Sequence, residues 1–98
     1  MKNFNLCVIY KVKENRRKQF IEEIVKSGVA DTIREENGCI RYEYFLSFDD
    51  ENNVLLFEEW ENEECQKIHM TQPHMSILSA LKEKYIESVS LIKAEPLK

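Results

Sequence analysis

A chain of 98 residues makes one domain and leaves no room for a separate cofactor domain. With 43% hydrophobic and 33% charged residues it is not a disordered chain, and no apolar run approaches the ~20 residues that cross a bilayer, which excludes a helical membrane protein. The formal net charge is −4 and the basic cluster Arg16-Arg17-Lys18 reads as a solvated turn, so nucleic acid is not an expected partner.

The chain opens on Leu6, Val8, Tyr10 and Val12 alternating with Cys7, Ile9 and Lys11, the period of a strand. A strand there, in place of a long apolar core followed by small residues, differs from a secretory signal, and a cytoplasmic location is expected. Cys7, Cys39 and Cys65 form no Cys-x-x-Cys pair, so reduced, packed thiols are the default. Asn15 offers a helix cap. Phe20, Ile21, Ile24, Val25, Val29 and Ile33 then recur at helical spacing, with a kink or break expected near Gly28 and a left-handed end at Asn37-Gly38.

Cys39 to Phe48 is predicted as the second strand, with Ile40, Tyr42, Tyr44, Leu46 and Phe48 on one face and Cys39, Arg41, Glu43, Phe45 and Ser47 on the other. The polar loop Asp49 to Asn53 is too short for a parallel crossover, so the third strand, Val54 to Trp60, is antiparallel to the second. Asn62 can cap the next helix, which runs to about His69, with Glu63 and Glu64 at the positive end of its dipole. Pro73 suits the first turn of a further helix whose apolar side is Met75, Ile77, Leu78, Ala80 and Leu81, and Ile86 to Ala94 gives a last strand.

The order strand, helix, strand, strand, helix, strand is the split βαβ arrangement. The fold class is α+β, a single domain over 1–98 with an antiparallel four-stranded sheet and helices on one face. In the third strand both faces are apolar, Val54 and Leu56 one way and Leu55 and Phe57 the other. Helices cover one face, so the second is expected to pack on another copy, which predicts a homodimer joined through its sheets.

Both histidines and the only tryptophan fall within fifteen residues, Trp60 to His74. Histidine exchanges protons near neutrality, which makes His69 a candidate catalytic base; its position near a helix C-terminus equally suits a structural role. His74, one residue after Pro73, reads as a hydrogen-bonding or capping group. Trp60 is either core or the wall of a pocket. The histidines are five apart across a proline, so they do not share a helical face as metal ligands at i and i+4 would, and no metal is expected. Glu58 sits on Trp60's face where the apolar alternation stops. Such an acid needs a partner, Arg41 or His69 or a second subunit, and if desolvated it could replace His69 as the base.

In Glu36-Asn37-Gly38-Cys39-Ile40-Arg41-Tyr42-Glu43, Phe57-Glu58-Glu59-Trp60 and His69-Met70-Thr71-Gln72-Pro73-His74 the chain resembles the antibiotic biosynthesis monooxygenase superfamily over nearly its whole length. The resemblance implies a ferredoxin-like dimeric α+β barrel with a pocket between sheet and helices. It also implies, among several family activities, a monooxygenase of quinol-like or phenolic compounds that uses dioxygen and no cofactor. There His69, or Glu58, would take a proton from the substrate, and the electron-rich anion would react with dioxygen. Trp60, Tyr42, Tyr44 and Phe57 would form an aromatic wall, with His74 near the substrate and Arg41 or a tyrosine hydroxyl on the developing oxyanion.

Two departures bear on this. The proline-glycine common before the first helix is replaced by Glu14-Asn15, which affects the turn. His69 stands where haem-degrading relatives carry a tryptophan, and Met75 to Tyr85 has no histidine, which disfavours haem degradation. The alternatives are isomerisation of a small phosphorylated carbonyl compound, suggested by the His-x-x-x-Pro-His stretch, and a non-catalytic dimer that binds a hydrophobic metabolite.

Overall fold

In the computed structural model, which describes residues 3–94, alternation sets the facing of the first strand, β1 (Phe4–Val12). Leu6, Val8, Tyr10 and Val12 are buried, while the residues between them are half-buried or exposed. There follow α1 (Arg17–Ser27), α2 (Val29–Arg34), β2 (Cys39–Leu46), β3 (Asn53–Trp60), α3 (Glu63–His69), α4 (Met75–Tyr85) and β4 (Ile86–Ala94). The strands form one sheet in the order β2-β3-β1-β4, each neighbouring pair antiparallel. The helices cover one face, and the fold is the ferredoxin-like α+β arrangement expected.

The core lies between that face and the helices. Val8, Tyr10, Val12, Val54, Leu56 and Trp60 from the central strands meet Phe20 and Ile24 of α1, Val29, Ala30 and Ile33 of α2, and Leu78 and Tyr85 of α4. Phe20 stands edge-on to Tyr10, with ring centroids 6.1 Å apart. Tyr85 donates its hydroxyl to a Glu23 carboxylate oxygen, tying α4 to α1.

Most element boundaries agree with the sequence patterns, and the differences have local causes. Asn15 is not the cap of α1: its φ is +63°, the N-cap position is Arg16, and no side chain caps the helix. The helical run does break at Gly28, which adopts the left-handed conformation at φ +73°. α2 stops at Arg34, before Asn37-Gly38, and Gly38 (φ +83°) belongs instead to the turn that enters β2. The Gly38 carbonyl accepts from Glu61 N–H at 2.8 Å, closing β2's start on β3's end. Phe48 lies outside β2 and is fully exposed. Asn62 caps α3 as expected, its Oδ1 accepting from Cys65 N–H at 2.9 Å. Pro73 precedes α4 by two residues, in a turn where its carbonyl accepts from Ser76 N–H.

The facing of β2 is corrected at its start. Cys39 pairs with Trp60 and Arg41 with Glu59, so Ile40 is the extra residue of a bulge. The bulge brings Cys39 to the helix side, where it packs against the core, while Arg41 stays on the outer side; sequence alternation had paired these two. Beyond it Tyr42, Tyr44 and Leu46 oppose Glu58, Leu56 and Val54. On the outer face Cys7, Ile9, Leu55 and Phe57 form a half-buried apolar patch flanked by Phe45 and Ile92, which are 44% and 52% exposed.

The β2–β3 hairpin is tied to the first turn of α1 by one side chain. Arg17 Nη1 donates to the carbonyls of Ser47, Asp50 and Asn53 at 3.1–3.2 Å.

Candidate functional site

The inner face of β3 reads Val54, Leu56, Glu58, Trp60, so the strand's period places a carboxyl in an apolar row. Glu58 is 6% exposed. Trp60 Nε1–H donates to Glu58 Oε1 at 3.0 Å, which satisfies the indole and one carboxyl oxygen. The last turn of α3 delivers His69 onto this pair. Its ring is 1% exposed and lies against Trp60, with centroids 4.7 Å apart and planes 34° apart; Tyr42 stands edge-on at 5.8 Å.

A second carboxyl holds the imidazole from behind. Glu36, in the turn between α2 and β2, places Oε2 3.0 Å and Oε1 3.2 Å from His69 Nδ1. His74 Nε2 lies 2.7 Å from the same Oε2. Glu36 thus bridges both histidines and joins the turn before β2 to the two segments that flank Pro73.

Between this cluster, α4 and the sheet is a cavity of about 200 Å³. Its polar lining is Glu58, His69, Tyr10, Tyr42, Gln66 and Lys82, and its apolar lining includes Leu6, Val8, Met75 and the β4 residues Val89 and Leu91. Burial raises the Glu58 carboxyl above its ordinary range and the Glu36 charge adds to this, while the Trp60 hydrogen bond, His69 and Lys82 act the other way. Burial likewise lowers the Lys82 amine, opposed by Glu58, and raises the Tyr10 and Tyr42 phenols, which stay protonated as donors. The site therefore pairs a carboxyl shifted toward its neutral form with an amine that burial makes easier to deprotonate. Proton-transfer centres are built on such opposed shifts.

Of the residues singled out from the sequence, His69, Glu58 and Tyr42 meet on this cavity. Trp60 has no exposed surface and supports the ring and carboxyl from within the core. Tyr44 faces a groove of about 300 Å³ by α1 and α2, beside Ile24 and Arg34, and burial pushes its phenol up to about 12. Arg41 and Phe57 are on the opposite face of the sheet, where the guanidinium lies 4.9 Å over the Phe57 ring and donates to Glu43 at 2.7 Å; neither reaches the cavity. His74 holds Glu36 and does not line the cavity.

Four contributors were not singled out: Tyr10, Glu36, Gln66 and Lys82. Lys82 follows the buried Leu78 by four positions, so it continues the inward stripe of α4, and that spacing was the available signal. Glu36 meets its histidines across 33 and 38 positions, a contact with no local signature. Among the described residues no group of three or more His, Cys, Asp or Glu side chains is arranged to hold a metal, and no helix is long and apolar enough to cross a membrane.

Comparison with known proteins bears on the same elements. Protein YjcS of Bacillus subtilis is 36% identical over 56 residues, which cover 55% of this chain and 53% of YjcS; it is uncharacterized. Protein sll1783 of Synechocystis, also uncharacterized, is 30% identical over 64 residues, 65% of this chain and 42% of that protein. The matches thus span about half the length of these relatives. Among solved structures, PA3566 from Pseudomonas aeruginosa superposes with a TM-score of 0.86 at 16% identity, covering 100% of this chain and 97% of that one. A provisionally named antibiotic biosynthesis monooxygenase from Nitrosomonas europaea gives 0.87 at 18% identity over 98% and 91% of the two chains. A conserved Bacteroides thetaiotaomicron protein of unknown function, provisionally described as an oxidoreductase, gives 0.80 at 25% identity over 96% and 97%. The sequence model of antibiotic biosynthesis monooxygenases matches residues 6–77, a segment that holds Glu36, Glu58, Trp60 and both histidines and stops short of Lys82. With the fold and that segment together, the chain belongs to the antibiotic biosynthesis monooxygenase family.

Proposed function

We propose that this protein is a monooxygenase of small phenolic or quinol-like compounds, acting with dioxygen and without a cofactor. The observation that carries this reading is the meeting of a buried carboxyl and a buried imidazole, Glu58 and His69, on one aromatic-lined cavity. A carboxyl raised by desolvation is a stronger base than an ordinary one once ionised, and an imidazole needs no such help; either can take the phenolic proton, a step worth typically 10²–10⁴-fold. Lys82 and the Tyr10 and Tyr42 hydroxyls supply donors for the phenolate oxygen, the role expected from the sequence of Arg41 or a tyrosine hydroxyl.

The reaction balances without an outside reductant. A phenol with hydrogen on its para carbon plus dioxygen gives the quinone plus water: one oxygen atom joins the ring carbon, the other leaves as water, and the substrate provides all four electrons. At about 200 Å³ the cavity is below the ~300 Å³ at which pockets for drug-sized ligands begin, which favours one- or two-ring substrates over polycyclic ones. The apolar outer face of the sheet supports a homodimer joined there, and a cytoplasmic location is part of the same proposal.

The test is oxygen uptake with a panel of reduced quinones and hydroxylated naphthalenes, comparing wild type with His69→Ala and Glu58→Gln. Turnover by the wild type, reduced at least ~100-fold in one variant, is expected. A wild-type rate no greater than buffer autoxidation overturns the proposal. The Lys82 amine favours one second reading, isomerisation of a small phosphorylated carbonyl compound, because it gives the cavity an anion partner; solvent-proton exchange into such a dione, followed by NMR, reads it directly.

A further inference from the structure

We infer that Glu36 is a positioning residue that fixes the tautomer of His69, leaving Nε2 as the free lone pair presented to the cavity. The inference rests on the reading of His69 as a base. A carboxylate has acceptors only, so a ring nitrogen 3.0 Å from it carries the hydrogen. Nδ1 is that nitrogen, and Nε2 makes no hydrogen bond among the described residues. His69 borders the cavity and Glu36 does not, so the ring stands between the two with its second nitrogen away from the carboxylate.

The same argument gives His74 the opposite form. Its Nε2 faces Glu36 at 2.7 Å and so carries the hydrogen. With one oxygen engaged by both rings, the Glu36 carboxylate is held from two directions and cannot swing off Nδ1 without breaking the His74 contact. A base oriented by a partly buried acid in this manner has its proton-accepting atom fixed before substrate arrives. The contact also explains how the two histidines, which lie on no common helical face, converge on one carboxylate.

The sequence has only two histidines, which makes the measurement direct. Long-range 1H–15N correlation spectra of 15N-histidine protein are recorded at ~pH 8.5, about two units above the ordinary histidine value. The expected result is two imidazoles of opposite tautomer, Nδ1–H for His69 and Nε2–H for His74, assigned with His74→Ala, which keeps His69 in the Nδ1–H form. In Glu36→Gln the His69 signal is expected to become a tautomer mixture and, in an active enzyme, kcat to fall at least about tenfold with KM changed less than about twofold.

Finding His69 as Nε2–H or doubly protonated in the wild type overturns the inference. An unchanged Nδ1–H signal in folded Glu36→Gln does the same. Should that variant fail to fold, the wild-type and His74→Ala spectra decide alone. Because the tautomer is read without substrate, its failure is distinct from a failure to consume oxygen.

Discussion

Gly38 is where the backbone of the site is least tolerant, and Gly38→Ala has a calculable cost. Its φ of +83° is left-handed, which costs an alanine about 1–2 kcal/mol relative to glycine. A Cβ there would also lie 2.4 Å from Cys65 Sγ and 2.8 Å from Cys65 Cβ, so α3 must move or the turn must open, an overpacking cost of about 1–3 kcal/mol. The sum is about 2–5 kcal/mol. In a domain of this size each kcal/mol lowers Tm by about 4–8 °C, so a fall of at least about 8 °C is expected.

Gly28→Ala is the internal control, since Gly28 has φ +73° and nothing within 4 Å of a new Cβ; it carries the conformational cost alone. Thermal and urea unfolding of the two variants isolates the Cys65 contact as a difference of about 1–3 kcal/mol. Adding Cys65→Ala to Gly38→Ala removes the sulfur and is expected to recover part of that difference as a coupling energy. If the two alanine variants unfold within about 0.5 kcal/mol of each other, the close approach of the turn to α3 is not as described. The placement of His69 four residues beyond Cys65 then loses its support.

Glu58→Gln tests the raised carboxyl through stability. A native pKa above the unfolded value means the native state binds more protons between the two, so wild-type stability falls as pH rises from about the ordinary 4.5 through the raised native value. The glutamine variant lacks this loss, and its stability relative to wild type, followed by denaturant titration at several pH values, should increase across that window and then level; a constant difference refutes the raised carboxyl. Lys82→Met keeps the stem and removes the donor, so affinity for a phenolate-forming ligand should drop about 10-fold or more in a direct binding titration, and unchanged affinity removes Lys82 from the site. Leu55→Glu places a charge in the outer apolar patch and is expected to yield monomers by size-exclusion chromatography with light scattering, where a dimer is expected of the wild type; a monomeric wild type refutes the proposed sheet-to-sheet contact.

The parts of this fold that sequence discloses are those governed by near neighbours. β1 is legible because burial follows every second residue from Leu6 to Val12, the break at Gly28 because one residue lacks a Cβ, and α3 because Asn62 caps it. The bulge at Ile40 is not legible, since it depends on how β2 registers against β3 and not on β2 itself. That one slip separates Cys39 from Arg41. Arg41 and Phe57 were attractive for their chemistry, yet a strand's parity, visible in Glu58 and Trp60, puts Phe57 on the other face. His69 and Glu58 were found because histidines are scarce and a buried acid breaks an apolar row. Glu36 is one of two adjacent glutamates in a polar stretch and is distinguished only by what lies across the fold from it.

The guanidinium of Arg17 carries a mechanical consequence. By binding carbonyls on both arms and the tip of the β2–β3 connection, it makes that loop open together with the start of α1. Fraying of the hairpin is thereby coupled to a helix start 30–36 positions earlier in the chain, and amide exchange at the tip should track the helix start as one cooperative unit.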